Sequence, residues 1–327
     1  MENDGAVNRR EALIKLLRVA GAGAGAAGAG LWLSQHSWRP ETALAMTAKH
    51  GHTVAADPKL PEMAVIQGDD PAQLARQAVE ELGGMRRFIA RGDVVLIKPN
   101  IGWDRTPEQA ANTNPDVVAE IVRQCSNAGA KRVIVTDVSC NDARRCFQRS
   151  GIAEAAQRVG ADVILPDPSR FKEVDLQGDV LHAWPVLDIF LNVDKVINIP
   201  IAKHHGLTGT TLGMKNWYGM LGGQRNQLHQ KIHESLVDLA DFVRPTLTII
   251  DCYRILLRNG PTGGNLEDVL LKKTLVAGTD PVALDAYVAK AYWNMEVDAL
   301  PYLKMAAKRG LGTYEFEKVR TRSKQLA

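Results

Sequence analysis

The chain has 327 residues, 45% hydrophobic and 24% charged, with a formal net charge of +3 at pH 7. This composition is that of a globular protein with a buried core, and the small charge gives no reason to expect a nucleic-acid partner. The four cysteines include no Cys-x-x-Cys pair, which excludes the usual iron–sulfur and zinc-ribbon spacings. Cys140 and Cys146 could form a disulfide in an oxidising compartment, but the spacing fits two free buried thiols as well.

The first 45 residues resemble an export signal. Arg9–Arg10 precede a weakly hydrophobic run rich in Gly and Ala, and the triplet Ala43–Ala45 follows as a signal-peptidase site would require. The paired arginines are typical of a twin-arginine signal, although Asn8 and Ala12 depart from the commonest pattern. We predict a signal peptide over residues 1–45 that the twin-arginine export machinery recognises. An uncleaved membrane anchor is the alternative interpretation.

After a predicted polar linker over residues 46–61, the chain alternates strands and helices in what we predict to be a single domain over 62–327. Apolar runs predict strands at 63–68, 93–100, 131–138 and 161–167. Amphipathic segments lie between them, and one of these is capped by Asn114 and Pro115 and ends at Gly129. This alternation predicts an α/β fold with a mostly parallel sheet and helices on both faces.

The middle of the chain interrupts the alternation. Residues 188–203 predict one or two strands that lead into a segment rich in His, Gly and Lys, IPIAKHHGLTGTTLGMKNWYGMLGGQRNQLHQKIH (199–233). Beyond it, the pattern predicts strands over 245–251 and 271–278 and a helix over 280–293. One domain with an inserted His/Gly-rich middle element fits this organisation better than two independent domains.

Polar residues follow the predicted strands, at the ends where ligands bind in open α/β sheets. We expect lysines there to bind an anion and carboxylates to orient ligands or transfer protons. The candidate catalytic residues are Lys98, Asp137, Lys215, Asp251 and Asp280.

Four of the eight histidines fall in the middle segment. His229 and His233 are four residues apart, so on one helix their rings would share a face, a spacing used by ligands of zinc and other first-row metals. Gln230 replaces the Glu of the metalloprotease motif, which disfavours peptide hydrolysis. His204 and His205 end a strand and point in opposite directions, so at most one faces the same cavity. We predict a divalent transition metal at this cluster, with unrelated surface histidines as the alternative.

The glycines and hydroxyl residues of the same segment suit backbone N–H groups that approach an anion. The segment lacks the pattern of a nucleotide-binding P-loop, and a tightly turned connection without a ligand is the alternative interpretation. The candidate ligand- or cofactor-binding residues are Asn100, Gly206, Thr208, Gly209 and Asn216.

Five separated stretches together resemble the family of the domain of unknown function 362. They are VVLIKPNIG, IPIAKHHGLTGTTLGMKNWYGMLGG, LHQKIHESLVDLADFVRPTLTIIDCYRIL, NGPTGGN and VAGTDPVALDAYVAK, in the family's order over residues 62–295. Many relatives carry a ferredoxin-like cysteine module, which this chain lacks, so no iron–sulfur cluster of its own is expected. Asp251-Cys252 stands where the family usually has Asp-Gly, and Leu257-Arg258 where it commonly has an acidic residue. The resemblance implies candidate residues but no reaction.

These observations predict an exported protein of the periplasm or cell envelope that acts as an enzyme on a small anionic substrate with a metal or redox cofactor. A metal-dependent hydrolase or lyase and an oxidoreductase are both compatible with the residues. The alternative is a non-catalytic periplasmic protein that binds a metal, cofactor or anion with the same side chains. We expect no permanent membrane span after cleavage.

Overall fold

The computed structural model describes residues 51–327. The predicted signal peptide and the first part of the predicted linker therefore lie outside the described residues. Across 51–327, every helix is too short or too polar to cross a membrane.

The described part of the chain contains strands and helices in alternation. The strands are β1 (Met63–Gln67), β2 (Val94–Pro99), β3 (Arg132–Val135), β4 (Asp162–Val163), β5 (Phe171–Asp175), β6 (Ala183–Leu187), β7 (Lys195–Ile199), β8 (Ile201–His205), β9 (Gly209–Thr211), β10 (Leu247–Leu256), β11 (Val269–Gly278) and β12 (Thr321–Gln325). The α-helices are α1 (Pro71–Glu81), α2 (Pro115–Ala128), α3 (Ala143–Arg149), α4 (Ile152–Arg158), α5 (Ile232–Val243), α6 (Pro281–Trp293) and α7 (Pro301–Lys308).

The central sheet has the strand order β12-β1-β11-β10-β7-β2-β3-β4. Strands β10, β7, β2, β3 and β4 are parallel to their neighbours in this run, and β1 is parallel to β12. Strand β11 is antiparallel to both β1 and β10. The predicted α/β fold with a mostly parallel sheet is confirmed, although β11 is antiparallel to its neighbours and the short strand β9 is antiparallel to β8.

Local sequence explains the ends of the helices. The Asn114 side chain accepts a hydrogen bond from the Asp116 N–H, and Pro115 occupies the first position of α2, where no N–H is needed. Gly129 ends the helix with φ of 102°, a left-handed conformation that glycine adopts without a steric penalty. The predicted cap residues of this helix are therefore confirmed.

Two apolar cores cover the two faces of the sheet. Val95 and Ile97 of β2 belong to the core formed with α1 and α2, whereas Leu96 belongs to the core formed with α5, α6 and α7. Side chains alternate along a strand, so Lys98 shares the face of Leu96 at the carboxyl end of β2. The alternation that builds the core thus also directs a lysine to the edge of the sheet.

The predicted inserted segment contributes strands and 3-10 turns at this edge. Strand β8 is hydrogen-bonded to both β10 and β9, and the 3-10 stretches Lys215–Met220 and Arg225–Lys231 follow. Helix α5 begins at Ile232, so His229 and His233 do not share one regular α-helix as the spacing predicted. A 3-10 stretch turns by a different angle per residue than an α-helix, which separates the two rings.

Candidate functional site

A cavity of about 610 Å³ lies where β2, β3 and β8 reach their carboxyl ends. Such a volume suits a small organic ligand rather than a macromolecule. Several predicted site residues line it together with residues that the sequence did not single out. The predicted ones are Lys98, Asn100, Asp137, His205, Lys215, Asn216 and His229.

Lys98 and Asp137 form a buried ion pair in the lining of the cavity. Lys98 Nζ lies 2.7 Å from Asp137 Oδ1, and the two side chains are 0% and 2% exposed. The Asp137 carboxylate also accepts hydrogen bonds from the N–H groups of Ile101 (2.5 Å) and Val138 (3.0 Å). Burial lowers the pKa of Lys98, an effect that the adjacent Asp137 charge opposes. The pair contributes no net charge to the cavity when both groups are ionised.

Two asparagines connect this ion pair to a second lysine. Asn216 Oδ1 accepts hydrogen bonds from Lys98 Nζ (3.0 Å) and Asn100 Nδ2 (2.9 Å). Asn100 Oδ1 in turn accepts from Lys203 Nζ (3.0 Å), which also donates to the Ala111 carbonyl (2.6 Å). Because each amide is bonded at both its oxygen and its nitrogen, the network holds the two lysine side chains in place.

The remaining cationic groups give the cavity an excess of positive charge. Burial, reinforced by the charges of Lys215 and Lys98, lowers the pKa of Lys203 to about 7. Burial, reinforced by the Arg225 charge, lowers the pKa of Lys215 to about 8. Asp137 is the one carboxylate among the described residues that line the cavity. Two lysines and an arginine are therefore left without a carboxylate partner in the cavity.

Arg225 and Lys215 differ in how they are held. The Arg225 guanidinium donates to the carbonyls of Val138 (2.9 Å), Tyr218 (3.0 Å) and Ser139 (2.9 Å), so it joins the loop after β3 to the 3-10 turn. Lys215 Nζ instead lies 4.6 Å from the centre of the Tyr218 ring. No hydrogen-bond acceptor for Lys215 Nζ is found within residues 51–327. Lys215 is only 8% exposed and faces the cavity, so its ammonium has lost most of its contact with water without gaining an acceptor.

The four histidines occupy three different environments. His205 lines the cavity, and its ring lies 6.3 Å from that of His229, which also lines it. The His205 Nδ1 accepts from the Leu207 N–H at 3.2 Å, so its Nε2 carries the proton, and burial lowers the pKa of His205 to about 3. His204 instead accepts from the Gly260 N–H at 3.2 Å, and His233 stacks on Tyr302 with ring centres 6.2 Å apart.

The predicted metal cluster is thus not assembled in the described residues. Two imidazoles face the cavity, and residues 51–327 contain no group of three His, Cys, Asp or Glu side chains that could hold a metal ion. A catalytic zinc site takes three protein ligands. The described residues do not supply the three ligands of such a centre, and the divalent metal stays a prediction.

Two predicted catalytic carboxylates lie away from the cavity and have structural partners. Strand β10 continues beyond Asp251 to Leu256, so Asp251 is not at a strand end as predicted. Its carboxylate accepts from the N–H groups of Asn114 (2.8 Å) and Tyr253 (2.9 Å), and burial raises the pKa of Asp251 to about 6. Asp280 caps α6 and also accepts from the Thr313 N–H (2.8 Å). Both carboxylates thus accept hydrogen bonds from backbone N–H groups.

Three predicted ligand-binding residues lie in the turn after β8 and at the start of β9, outside the cavity lining. Gly209 has φ of 70°, and the Thr208 hydroxyl donates to the Thr210 carbonyl at 2.9 Å. Gly206 lies in the same turn. Cys140 and Cys146 are both free thiols, so the disulfide left open by the sequence is not formed.

Lys203 is a cavity residue that the sequence analysis did not select as a site candidate. It stands two positions before His205 on β8, and residues at i and i+2 of a strand share a face. Because His205 lines the cavity, Lys203 on the same face of β8 lines it as well. The alternation along β8 places Lys203 and His205 on one face of the strand. The sequence does not show which face of β8 is turned to the cavity.

The fold and this site define an α/β protein with a cationic ligand cavity at the carboxyl ends of its strands. The family model described as Domain of unknown function (DUF362) matches residues 95–290, which is more than half of the chain, and the chain belongs to that family. The resemblance seen in the sequence is thereby confirmed.

Among known proteins, the chain is similar to the Thylakoid-associated protein sll1697 of Synechocystis sp. The two are 28% identical over 252 residues, which cover 72% of this chain and 74% of that protein.

Solved structures show more distant likeness. A Thermotoga maritima protein matches at 12% identity and a TM-score of 0.40, covering 74% of this chain and 60% of its own. The lactate racemase apoprotein from Thermoanaerobacterium thermosaccharolyticum matches at 11% identity and a TM-score of 0.41, and the match covers 72% of this chain and 59% of that chain. This chain thus spans less than two thirds of either solved chain, and likeness at this level says nothing about its ligand.

Proposed function

We propose that this chain is an enzyme that binds a small anionic substrate in the cavity and transfers protons on it. The observation that carries the proposal is the charge balance of the cavity, in which three nearly buried lysines stand with a single carboxylate. Lys98, Lys203 and Lys215 are 0%, 1% and 8% exposed. Removing an ammonium from water costs several kcal/mol unless it is paired, so an anionic ligand would relieve this cost.

The placement of Lys215 supports a ligand oxygen as its missing partner. Its Nζ lies 4.6 Å from the centre of the Tyr218 ring without an acceptor among residues 51–327, and a carboxylate or phosphate oxygen would supply one. The neutral His205 ring, with its proton on Nε2, is a second donor in the same cavity.

The lowered pKa values of two cavity lysines favour proton transfer over simple binding of an anion as the role of this site. Lysine side chains whose pKa values are lowered to about 7 and about 8, as those of Lys203 and Lys215 are, exchange protons readily near neutral pH. Groups with such values cluster at functional sites. A protein that only binds an anion would have a higher affinity for it with lysines that stay fully charged.

Replacing Lys215 with Met should weaken anion binding by about ten- to a hundredfold, because a charge-assisted hydrogen bond contributes roughly 1.5–3 kcal/mol. The measurement is calorimetric titration of the full chain with oxalate and with inorganic phosphate at pH 7. Lys172→Met is the matched control, since Lys172 is exposed on β5, outside the central sheet. Absence of binding by the wild type, or equal affinities in all three proteins, would refute the proposal.

We also propose that the chain acts outside the cytoplasm. Arg9–Arg10 ahead of an apolar run support export, and the similar Synechocystis protein is named as thylakoid-associated. The double substitution Arg9→Lys/Arg10→Lys should retain the full chain in the cytoplasm, whereas the wild type should reach the periplasm. Cell fractionation with immunoblotting measures this, and equal periplasmic amounts of both proteins would exclude a twin-arginine route.

A further inference from the structure

The three cavity lysines differ in the partners of their amino groups. Lys98 Nζ lies beside the Asp137 carboxylate, which keeps it charged. Lys215 Nζ lies over the Tyr218 ring. Lys203 Nζ is bonded only to two uncharged oxygens, the Asn100 amide and the Ala111 carbonyl, at 3.0 and 2.6 Å. Of the three, Lys203 is the one whose surroundings satisfy a neutral amine.

The geometry of Lys203 suits nucleophilic attack. A neutral amine has two N–H groups and one lone pair, and both N–H groups of Lys203 have acceptors. The lone pair is then left over, on a side chain that lines the cavity and is held by strand β8. With burial lowering the pKa of Lys203 to about 7, about half of the side chain is neutral at pH 7.

We propose that Lys203 is an amine nucleophile that forms a Schiff base with a small 2-oxo carboxylate bound in the cavity. This inference rests on the proposed function, because the carboxylate needs the same cationic cavity. A lysine desolvated beside other cationic groups is a recognised way to activate an amine toward carbonyl compounds. Lys215, which has no acceptor among the described residues, pairs with the substrate carboxylate and brings the adjacent carbonyl carbon toward Lys203.

The step balances in atoms and charge. The Lys203 lone pair attacks the carbonyl carbon, and a proton moves from nitrogen to oxygen to give a neutral carbinolamine. The Lys215 ammonium then protonates the hydroxyl, which leaves as water, while the nitrogen forms the C=N bond and carries the positive charge. Lys215 becomes a neutral amine and regains its proton from solvent. No oxidant or reductant is required.

The test traps this intermediate by reduction. The full chain is incubated with glyoxylate or pyruvate and cyanoborohydride, digested, and mapped by mass spectrometry. We expect the reduced adduct on Lys203, with Lys98 unmodified in the same cavity because it is ion-paired. Exposed Lys172 serves as the reference for unspecific labelling. Labelling of Lys203 should rise about tenfold per pH unit below pH 7 and fall again above about pH 8, where Lys215 loses the proton that holds the substrate carboxylate, whereas Lys172 labelling should keep rising.

A Lys203 variant and the non-reactive anion oxalate distinguish a failure of the proposed nucleophile from a failure of the proposed function. Lys203→Arg keeps the charge and donors but cannot form the imine, so the site-specific adduct should disappear while the circular dichroism stays unchanged. Because the mapping is done on the wild type, the result does not depend on how this variant folds. Oxalate titration runs in parallel: oxalate binding without a Lys203 adduct overturns the nucleophile alone. Absence of both overturns the proposed function as well.

Discussion

Replacing Asp137 with Ala will lower the free energy of unfolding by about 3–5 kcal/mol, because the Lys98 ammonium is left buried without its counter-charge. Lys98 and Asp137 are 2.7 Å apart with side chains 0% and 2% exposed, so the pair is almost entirely removed from solvent. The substitution also removes the acceptor of the Ile101 and Val138 N–H groups, which adds to the loss.

Urea unfolding at pH 7, followed by circular dichroism, measures this effect. The double variant Lys98→Met/Asp137→Ala should be less destabilised than the sum of the two single variants, because no charge is then left unpaired. Glu173→Ala, an exposed carboxylate on β5, is the control and should change stability by no more than about 0.5 kcal/mol. A single Asp137→Ala variant as stable as this control would contradict the expected cost of leaving Lys98 unpaired.

The affinity for oxalate will fall as the pH rises from 7 to 9. Oxalate binding needs ammonium groups, and the pKa of Lys215 is lowered to about 8 by burial. Deprotonation of Lys215 alone reduces affinity about tenfold over this range, and by several hundredfold if Lys203, with its pKa of about 7, must also be charged. Calorimetric titration at half-unit steps measures the curve.

The sign of the proton exchange provides an independent check. Binding of oxalate at pH 8 should take up protons, which calorimetry in buffers of different ionisation enthalpy detects. The stability of the unliganded protein should change in the opposite direction. Between pH 7 and pH 9 the unfolded chain keeps Lys203 and Lys215 protonated while the folded chain does not, so this contribution to stability rises with pH. An affinity that is flat across this range would contradict the role of both lysines.

Much of the fold could be predicted because local physical chemistry determines it. The buried runs of β2, β3 and β7 must be covered on both faces, and the intervening amphipathic helices supply that cover. Asn114, Pro115 and Gly129 delimit α2 through contacts within a few residues. The antiparallel direction of β11 could not be predicted in the same way, because it depends on how distant strands are ordered in the sheet.

Part of the site could also be predicted, because the polar residues after parallel strands converge on one edge. Lys98 and Asp137 were predicted as such residues and line the same cavity. The same rule failed for Asp251, because pairing with β11 extends β10 five residues beyond it. Asp280 was a strand-end candidate as well, but its carboxylate caps α6.

The sequence by itself determined the alternation of strands and helices, the family, and the collection of lysines and histidines in one segment. Only the tertiary structure decided which of them share a cavity. The face of β8 turned to the cavity selects Lys203 and His205 over His204, and the change from a 3-10 stretch to α5 separates His229 from His233. The physical reason is that spacing along the chain sets the direction of a side chain relative to its own strand or helix. Packing against distant strands and helices determines what the side chain then faces.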